Sequence, residues 1–210
     1  RYLDGIMIRT YAHDDVTELA RHADIPIING LTDLLHPCQV MADLFTIQEK
    51  KGRLEGLKLC YVGDGNNMAN SLMHGGAKFG MHVTIACPRG YEPDAGMVRE
   101  AMNDAKASGA RIEVVNDPYE GVKGADVVYT DVWASMGQET EAIERAKIMQ
   151  PFQVNSQLMA AAKPDAIFLH CLPAHRGEDV TDEVIDGPQS VVWDEAENRM
   201  HVQKAILALV

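Results

Sequence analysis

The sequence has little positive charge and no long apolar run. Its 19 Lys and Arg residues are outnumbered by 31 Asp and Glu residues, which gives a formal net charge of −12 at neutral pH. Nucleic acids and anionic membranes are bound through basic surfaces, so this balance argues against both as partners. A membrane-spanning helix needs about 20 consecutive apolar residues, and no run in the sequence approaches that length. We therefore expect no nucleic-acid partner and no membrane partner.

Cysteine is also scarce. The four cysteines are Cys38, Cys60, Cys87 and Cys171, with no C-x-x-C pair among them and no spacing typical of a zinc site. Scattered single cysteines in an acidic chain are typical of a protein of the reducing cytoplasm. We therefore predict a cytoplasmic location and no bound metal.

What the sequence does contain is enough apolar material for a core, because hydrophobic residues make up 46% of it. Strand-like apolar runs alternate with segments of helical period. This alternation predicts an α/β fold of parallel sheets flanked by helices. The predicted strands are residues 5–9, 25–29, 57–62, 82–86, 111–115, 126–130, 166–170 and 190–193. The predicted helices are residues 14–23, 37–51, 68–79, 95–108, 141–148, 156–161 and 195–209.

The polar stretch KKGRLEG, residues 50–56, predicts a boundary between two units. Residues 1–50 are too few to close a sheet, and they begin with Arg1 inside a strand-like run. We interpret them as the tail of a domain whose earlier strands are absent. Residues 51–194 predict a complete parallel unit, and residues 195–210 predict a helix that returns to the first domain.

The ends of the predicted strands carry most of the chemistry in the sequence. Ligands of open parallel sheets bind at the carboxyl ends of the strands, so polar residues just after each strand are candidates for a site. These residues are Arg9, Asn29, Gly63–Asn67, Asp131, His170–Cys171 and Asp194–Glu195.

His36-Pro37-Cys38-Gln39 is predicted to open a helix, because proline is favoured at the first helical position. His36 then lies at the cap, and Gln39 follows one turn later. With the helix N-terminus, which attracts anions, they suit a carbonyl or phosphoryl oxygen and an amide. Taken alone, the segment is better explained as a capped helix with a surface histidine.

Gly63-Asp64-Gly65-Asn66-Asn67 resembles the start of a dinucleotide loop. Met68 occupies the place of the third glycine, and Pro88 and Arg89 follow the next strand where a ribose-binding acid is needed. These differences argue against a nucleotide-binding Rossmann protein. A polar loop that presents Asn67 to a small ligand remains a reasonable interpretation.

Three further segments have both a functional and an ordinary interpretation. Asp131 follows a strand and suits the ammonium group of a ligand, and Ser135 suits a carboxylate, so together they suit an amino acid. The alternative is that Asp131 only caps the next helix. In His170-Cys171-Leu172-Pro173, Leu172 offers a carbonyl, and Cys171 suits a thiol lining a pocket better than a nucleophile, since no partnered base is evident. Arg199 is either a substrate clamp or a surface arginine.

Together, in this order, these segments resemble the ornithine carbamoyltransferase family over the whole chain. The resemblance rests on four motifs: HPxQ at His36–Gln39, D-x-x-x-S-M-G at Asp131–Gly137, HCLP at His170–Pro173 and E-x-E-N-R at Glu195–Arg199. GDGNN and the KFGM of Lys78–Met81 add to it. HPxQ also occurs in aspartate carbamoyltransferases, whereas SMG with HCLP is specific. The phosphate-gripping S-T-R-T segment of the family is absent and would lie upstream of Arg1.

The resemblance implies carbamoyl transfer from carbamoyl phosphate to the δ-amine of L-ornithine, without a cofactor. It implies a carbamoyl-phosphate-binding domain ending near residue 50 and a Rossmann-like ornithine-binding domain after it. The residues that it assigns to catalysis are Arg9, His36, Cys171 and Arg199. For carbamoyl phosphate it assigns Arg9, His36, Pro37, Cys38, Gln39, Cys171, Leu172 and Arg199. For ornithine it assigns Asn67, Asp131, Ser135 and Met136. It also implies that the full-length enzyme is a homotrimer.

Two other functions remain open from the residues. A sister carbamoyltransferase that acts on another amine, such as putrescine, needs no carboxylate-binding loop, so Ser135-Met136-Gly137 counts against it. A non-catalytic amino-acid-binding fragment is favoured by the absent phosphate segment. Titration with ornithine by calorimetry distinguishes a binding fragment from a chain that has no ornithine site.

We expect the isolated 210-residue chain to make almost no citrulline and to trimerise weakly or not at all. Loss of one oxyanion-type donor costs about 10²–10³ in rate, and several phosphate ligands are absent together. A citrulline assay and light scattering test the two expectations. Substantial citrulline synthesis or a stable trimer by this chain alone would contradict them.

Overall fold

The computed structural model describes residues 2–133 and 142–210. The strands of this part of the chain are β1 (Ile6–Arg9), β2 (Ile27–Leu31), β3 (Lys58–Val62), β4 (His82–Ala86), β5 (Ile112–Val115), β6 (Val127–Thr130) and β7 (Ile167–His170). The longer helices are α1 (His13–His22), α2 (Pro37–Lys51), α3 (Asn67–Phe79), α4 (Ala95–Ser108), α6 (Ala142–Met149) and α9 (Val192–Leu209). The short helices are α5 (Pro118–Val122), α7 (Ser156–Ala160) and α8 (Asp182–Ile185), and a 3₁₀ turn spans Gln150–Phe152.

The larger sheet has five parallel strands in the order β5-β4-β3-β6-β7. From β3 the chain runs outward through β4 to β5 and then returns to place β6 on the other side of β3, in register from Leu59↔Val127 to Val62↔Thr130. The strand order therefore reverses between β3 and β6. Ligands of open α/β sheets bind in the crevice at the carboxyl ends of such a pair.

Helices cover both faces of this sheet. Successive residues of a strand point to opposite faces, and in β3 Leu59 and Tyr61 pack with residues of α2, α3 and α4. Cys60 and Val62 pack on the other face with residues of α5, α7 and α8. Because both faces are buried, the central strands are apolar at nearly every position, which is why they stand out in the sequence.

A smaller parallel sheet of β1 and β2 lies beside α2. Pro37 occupies the first turn of α2 after His36 at the N-cap, and Gly52 ends the helix in the left-handed conformation, with φ 74°. Helix α9 packs along α2. Their contact includes polar bonds from Asn198 Nδ2 to Thr46 Oγ1 (2.9 Å) and to Glu49 Oε2 (2.7 Å).

The structure confirms the predicted fold class, parallel sheets flanked by helices. The prediction of a strand at residues 190–193 was wrong. Ser190 makes one isolated bridge to Phe168, and Val192 begins α9, three residues earlier than expected. A short apolar run does not separate a strand from a buried helix start by periodicity, and Val192 is fully buried here.

The loop between β3 and α3 is pressed against the segment that follows β4. Gly65 donates its N–H to the Tyr91 carbonyl oxygen at 2.8 Å. A Cβ atom on Gly65 would come within 2.2 Å of the Pro93 nitrogen and 2.4 Å of the Glu92 carbonyl carbon. Because these neighbours are backbone atoms, only glycine fits at this position without moving the loop.

We predict that Gly65→Ala destabilises the protein by about 1–3 kcal/mol, the usual range for overpacking, as measured by urea unfolding. Gly5→Ala is the matched control, because its Cβ would meet the Pro26 carbonyl oxygen at an ordinary 3.5 Å. Equal stability of the two variants would show that the loop is not held by this close approach.

Candidate active site

A cavity of about 870 Å³ opens where the carboxyl ends of β3 and β6 face β1, β2 and the start of α2. Tyr11, Asp33, Asp64, Tyr91 and Arg145 are among its walls. The site residues expected from the sequence that line it are Arg9, His36, Gln39, Asn67, Asp131, Cys171, Leu172 and Arg199. Residues from both ends of the chain therefore meet at one site.

Four expected site residues are placed differently or not described. Pro37 and Cys38 do not line the cavity, and the Cys38 thiol donates to the Asn29 carbonyl oxygen at 3.3 Å. Their assignment to carbamoyl phosphate stays a prediction. Ser135 and Met136 lie outside the described residues, so their assignment to ornithine also stays a prediction.

Asp131 organises one end of the cavity. Its Oδ1 accepts the Cys171 thiol proton at 3.0 Å and the Val132 N–H at 2.8 Å. Its Oδ2 accepts from Asn66 Nδ2 at 2.8 Å. Burial and the adjacent Asp131 carboxylate raise the pKa of Cys171 well above its usual value, so Cys171 is a neutral thiol at physiological pH. A neutral thiol is a weak nucleophile, in line with a pocket-lining role.

The loop of Asn66 and Asn67 joins this end to the β2 side of the cavity. Asn66 Oδ1 caps α3 by accepting the N–H groups of Met68 (2.9 Å) and Ala69 (3.2 Å). Asn67 Nδ2 donates to the Thr32 carbonyl oxygen at 2.7 Å. Asn67 therefore lies in the cavity wall with one of its two amide protons used, and its second proton and its oxygen are available to a ligand.

The HCLP segment is fixed by a buried His170–Asp179 pair. His170 Nδ1 accepts the Leu172 N–H at 2.9 Å, so the ring proton lies on Nε2, which faces Asp179 Oδ2 at 2.7 Å. Asp179 Oδ1 accepts the His175 N–H at 3.0 Å. Leu172 has a φ of 54°, which costs energy in a residue other than glycine. The hydrogen bond from the Leu172 N–H to His170 helps to hold this conformation.

The opposite end of the cavity collects hydrogen-bond donors. Arg199 Nη1 donates to Gln39 Oε1, and Arg9 and His36 lie in the same wall. Burial, and then the charges of Arg199 and Arg9, lower the pKa of His36 to about 4. His36 is therefore a neutral imidazole at physiological pH, and its N–H is a donor that adds no charge to the two arginines.

Arg145 is one of several polar residues of the wall that sequence reasoning missed. Arg145 of α6 is 7% exposed and donates to Asp64 Oδ2 and to the Trp133 carbonyl oxygen. Its guanidinium also lies over the Tyr91 ring, 4.9 Å from the centroid. Nothing local marks Arg145, because it is an arginine on a charged helix and its partners are distant in sequence.

Sequence and structure comparisons report the same relationship. The family model "Aspartate/ornithine carbamoyltransferase, Asp/Orn binding domain" matches residues 55–210, and the companion "carbamoyl-P binding domain" matches residues 1–49. The chain belongs to the aspartate/ornithine carbamoyltransferase family.

Individual members of the family are similar over the full length of the chain. The ornithine carbamoyltransferases of Thermococcus kodakarensis and Symbiobacterium thermophilum are 61% and 63% identical over 210 residues, which is all of this chain and 67% and 68% of theirs. The structure of ornithine carbamoyltransferase from Pyrococcus furiosus matches with a TM-score of 0.96 at 61% identity, covering all of this chain and 67% of that one. The chain spans about two thirds of the length of these relatives.

Two features are absent from the part of the chain that the structure describes. None of the helices in that part of the chain is both long and apolar enough to cross a membrane. Among the same residues, no group of three or more His, Cys, Asp or Glu side chains is placed to hold a metal ion.

We predict that His36 makes folding stability depend on pH between about 6.5 and 4. In this window the unfolded chain protonates the imidazole and the folded protein does not. Stability is therefore lost as the pH falls, by up to about 3 kcal/mol. Urea unfolding at a series of pH values measures the effect.

His36→Gln is the test variant, because glutamine does not titrate, and His201→Gln on the exposed face of α9 is its control. The slope of stability against pH should become shallower in His36→Gln and stay unchanged in His201→Gln. An unchanged slope in His36→Gln would contradict the assignment of a buried neutral imidazole.

Proposed function

We propose that this cavity binds carbamoyl phosphate at its α2 end and L-ornithine at its Asp131 end, and that the enzyme transfers the carbamoyl group to give L-citrulline and phosphate. Relatives about 60% identical over the whole chain carry the name ornithine carbamoyltransferase. The observation that carries the mechanism is that one cavity holds the Asp131–Cys171 pair and the Arg199–Gln39 pair. A nucleophilic amine and a carbonyl are thereby held by separate groups.

The α2 end suits the reacting carbonyl. As the amine attacks, the carbonyl oxygen gains negative charge, and preorganised donors in a low-dielectric site stabilise that charge. Arg9, His36 and Arg199 are proposed as these donors. Gln39 Oε1 and the Leu172 carbonyl oxygen are proposed to accept from the carbamoyl NH2 group, which orients the carbonyl towards the donors.

The Asp131 end suits the amino acid. The Asp131 carboxylate and the Cys171 thiol are proposed to receive and orient the δ-amine, and Asn67, Ser135 and Met136 to hold the rest of ornithine. An alkyl amine has a solution pKa of about 10.4, so it must lose a proton before it attacks. Desolvation in the cavity favours the neutral amine.

The binding of phosphate involves sequence outside this chain in our proposal. Residues 1–50 are proposed as the C-terminal part of a carbamoyl-phosphate-binding domain, residues 51–194 as the ornithine-binding domain, and residues 195–210 as the helix that joins them. We also propose that the full-length enzyme is a cytoplasmic homotrimer. A relative from Pyrococcus furiosus that is named anabolic favours a role in arginine biosynthesis.

The function is tested by the products of the full-length natural protein. With carbamoyl phosphate and either ornithine or putrescine at equal concentration, we expect citrulline as the main product. Carbamoylputrescine as the main product would overturn the choice of amine. Ornithine binding by calorimetry without any citrulline would favour the binding-fragment alternative.

We predict that Asp131→Asn impairs the use of ornithine far more than that of carbamoyl phosphate. Removing a charged hydrogen-bond partner of the amine should raise the KM for ornithine by roughly 10- to 100-fold. The KM for carbamoyl phosphate should change less than about threefold. Steady-state kinetics with each substrate varied in turn measures both.

Asp94→Asn is the matched control. Asp94 is exposed and caps α4 by accepting from Gly96 N and Met97 N, and asparagine caps helices equally well. This variant should leave both KM values unchanged. If Asp131→Asn raised both KM values equally, the assignment of Asp131 to the ornithine end of the site would be wrong.

A further inference from the structure

Two buried carboxyl groups lie directly behind Gln39. Asp43 of α2 is fully buried and Glu195 of α9 is 1% exposed. Gln39 Nε2 donates to both of them, to Asp43 Oδ1 at 2.8 Å and to Glu195 Oε1 at 3.0 Å. Gln39 Oε1 points the other way and accepts from Arg199 Nη1.

A primary amide has two different ends, and these neighbours fit only one orientation of it. The nitrogen carries two protons and the oxygen carries two lone pairs. With the amide reversed, Gln39 Oε1 would face two carboxyl groups and Nε2 would face the Arg199 guanidinium, so acceptors would meet acceptors and donors would meet donors. The observed orientation uses both Nε2 protons on the buried side.

From this geometry we propose that Asp43 and Glu195 are positioning residues that hold the Gln39 amide with its oxygen towards the cavity, so that the site selects a ligand carrying an NH2 group there. The inference rests on the proposed binding of carbamoyl phosphate, and it explains how the site distinguishes this substrate from an acyl phosphate without an NH2 group. Gln39 Oε1 has two lone pairs, and Arg199 uses one. The other is then left to accept from the carbamoyl NH2.

The pair is itself held in place by the sheet beneath it. Glu195 Oε1 also accepts from the Tyr129 hydroxyl at 3.2 Å, and Glu195 Oε2 accepts the His170 N–H at 2.9 Å. Glu195 therefore connects the ends of β6 and β7 to α2. Any displacement of Glu195 would release Gln39 and the start of the HCLP segment together.

Asp43 and Glu195 must share a proton to lie this close together in a buried site. Burial, and then the neighbouring Glu195 carboxylate, raise the pKa of Asp43 well above its usual value. Its Oδ1 accepts from Gln39. Burial also raises the pKa of Glu195, and the side chains of Asp43 and Glu195 hydrogen-bond to each other, so the pair shares the proton. An asparagine at position 43 reproduces this pattern, with Oδ1 as the acceptor and an N–H donor in place of the acidic O–H.

The test compares carbamoyl phosphate with acetyl phosphate in the full-length natural protein. Acetyl phosphate has a methyl group where carbamoyl phosphate has NH2, so it gains nothing from an acceptor at Gln39. The measured quantity is the ratio of the inhibition constant of acetyl phosphate to the KM of carbamoyl phosphate. General damage to folding changes both constants, whereas loss of the oriented amide lowers only the preference for NH2.

In Asp43→Leu, which removes an acceptor, we expect this ratio to fall by about tenfold, the value of one hydrogen bond. In Asp43→Asn we expect the ratio to stay within about threefold of the wild-type value. In a Gln39→Met background, Asp43→Leu should produce no further change in the ratio. Asp126→Asn is the control, because Asp126 is also buried but binds Lys58 N and Lys163 Nζ at the other end of the sheet.

An unchanged ratio in Asp43→Leu, or an equal fall in Asp126→Asn, would overturn the proposal. If Asp43→Leu does not fold, Glu195→Gln gives the same comparison. The variant replaces one of the two Glu195 oxygens by an NH2 group, and this donor then faces another donor, either Gln39 Nε2 or the His170 N–H. The ratio should then fall as well, and an unchanged value would overturn the proposal. A wild-type protein that makes no citrulline would instead contradict the proposed function.

Discussion

The contact between α2 and α9 is the constraint on which the site depends. Gln39 and Asp43 come from α2, whereas Glu195 and Arg199 come from α9, more than 150 residues later in the chain. Asn198 fixes the same helix pair through Thr46 and Glu49. Since most of the polar groups of this contact are buried, an imperfect fit would leave them unpaired at considerable cost. The contact between α2 and α9 therefore determines the positions of His36 and Arg199 at the α2 end of the cavity.

The strand order of the sheet sets the position of the Asp131 end of the cavity, where the amine is proposed to bind. Because β6 returns to the far side of β3, the loops after these strands diverge and leave a crevice. Asn66, after β3, and Asp131, after β6, meet across that crevice at 2.8 Å. Glu195 links this end to the other by accepting from the β7 end at His170. The two ends of the cavity are therefore connected by the hydrogen bonds from Cys171 to Asp131 and from His170 to Glu195, because His170 and Cys171 are neighbours in the chain.

The sequence predicted the fold and much of the cavity wall for a physical reason. Parallel strands covered on both faces leave short, continuous apolar runs in the sequence, and polar residues such as Asp131 and Cys171 follow these runs at the ligand-binding edge. Contacts between residues that meet only in the folded structure were harder to predict from the sequence. The link between Arg145 and Asp64, and the Asp43–Glu195 pair behind Gln39, join residues far apart in sequence, and no local pattern shows that these residues are partners. The strand predicted at residues 190–193 failed because Val191 and Val192 are buried as a helix start.

The most direct measurement is a crystal structure of the full-length natural protein with a two-substrate analogue, in which a phosphonoacetyl group is joined to the δ-nitrogen of ornithine. The account predicts that the acetyl oxygen lies within about 3.2 Å of donors from Arg9, His36 or Arg199. It places the δ-nitrogen beside Asp131 and Cys171. An analogue bound in the reverse direction, with its phosphonate at Asp131, or bound outside the cavity, would contradict it.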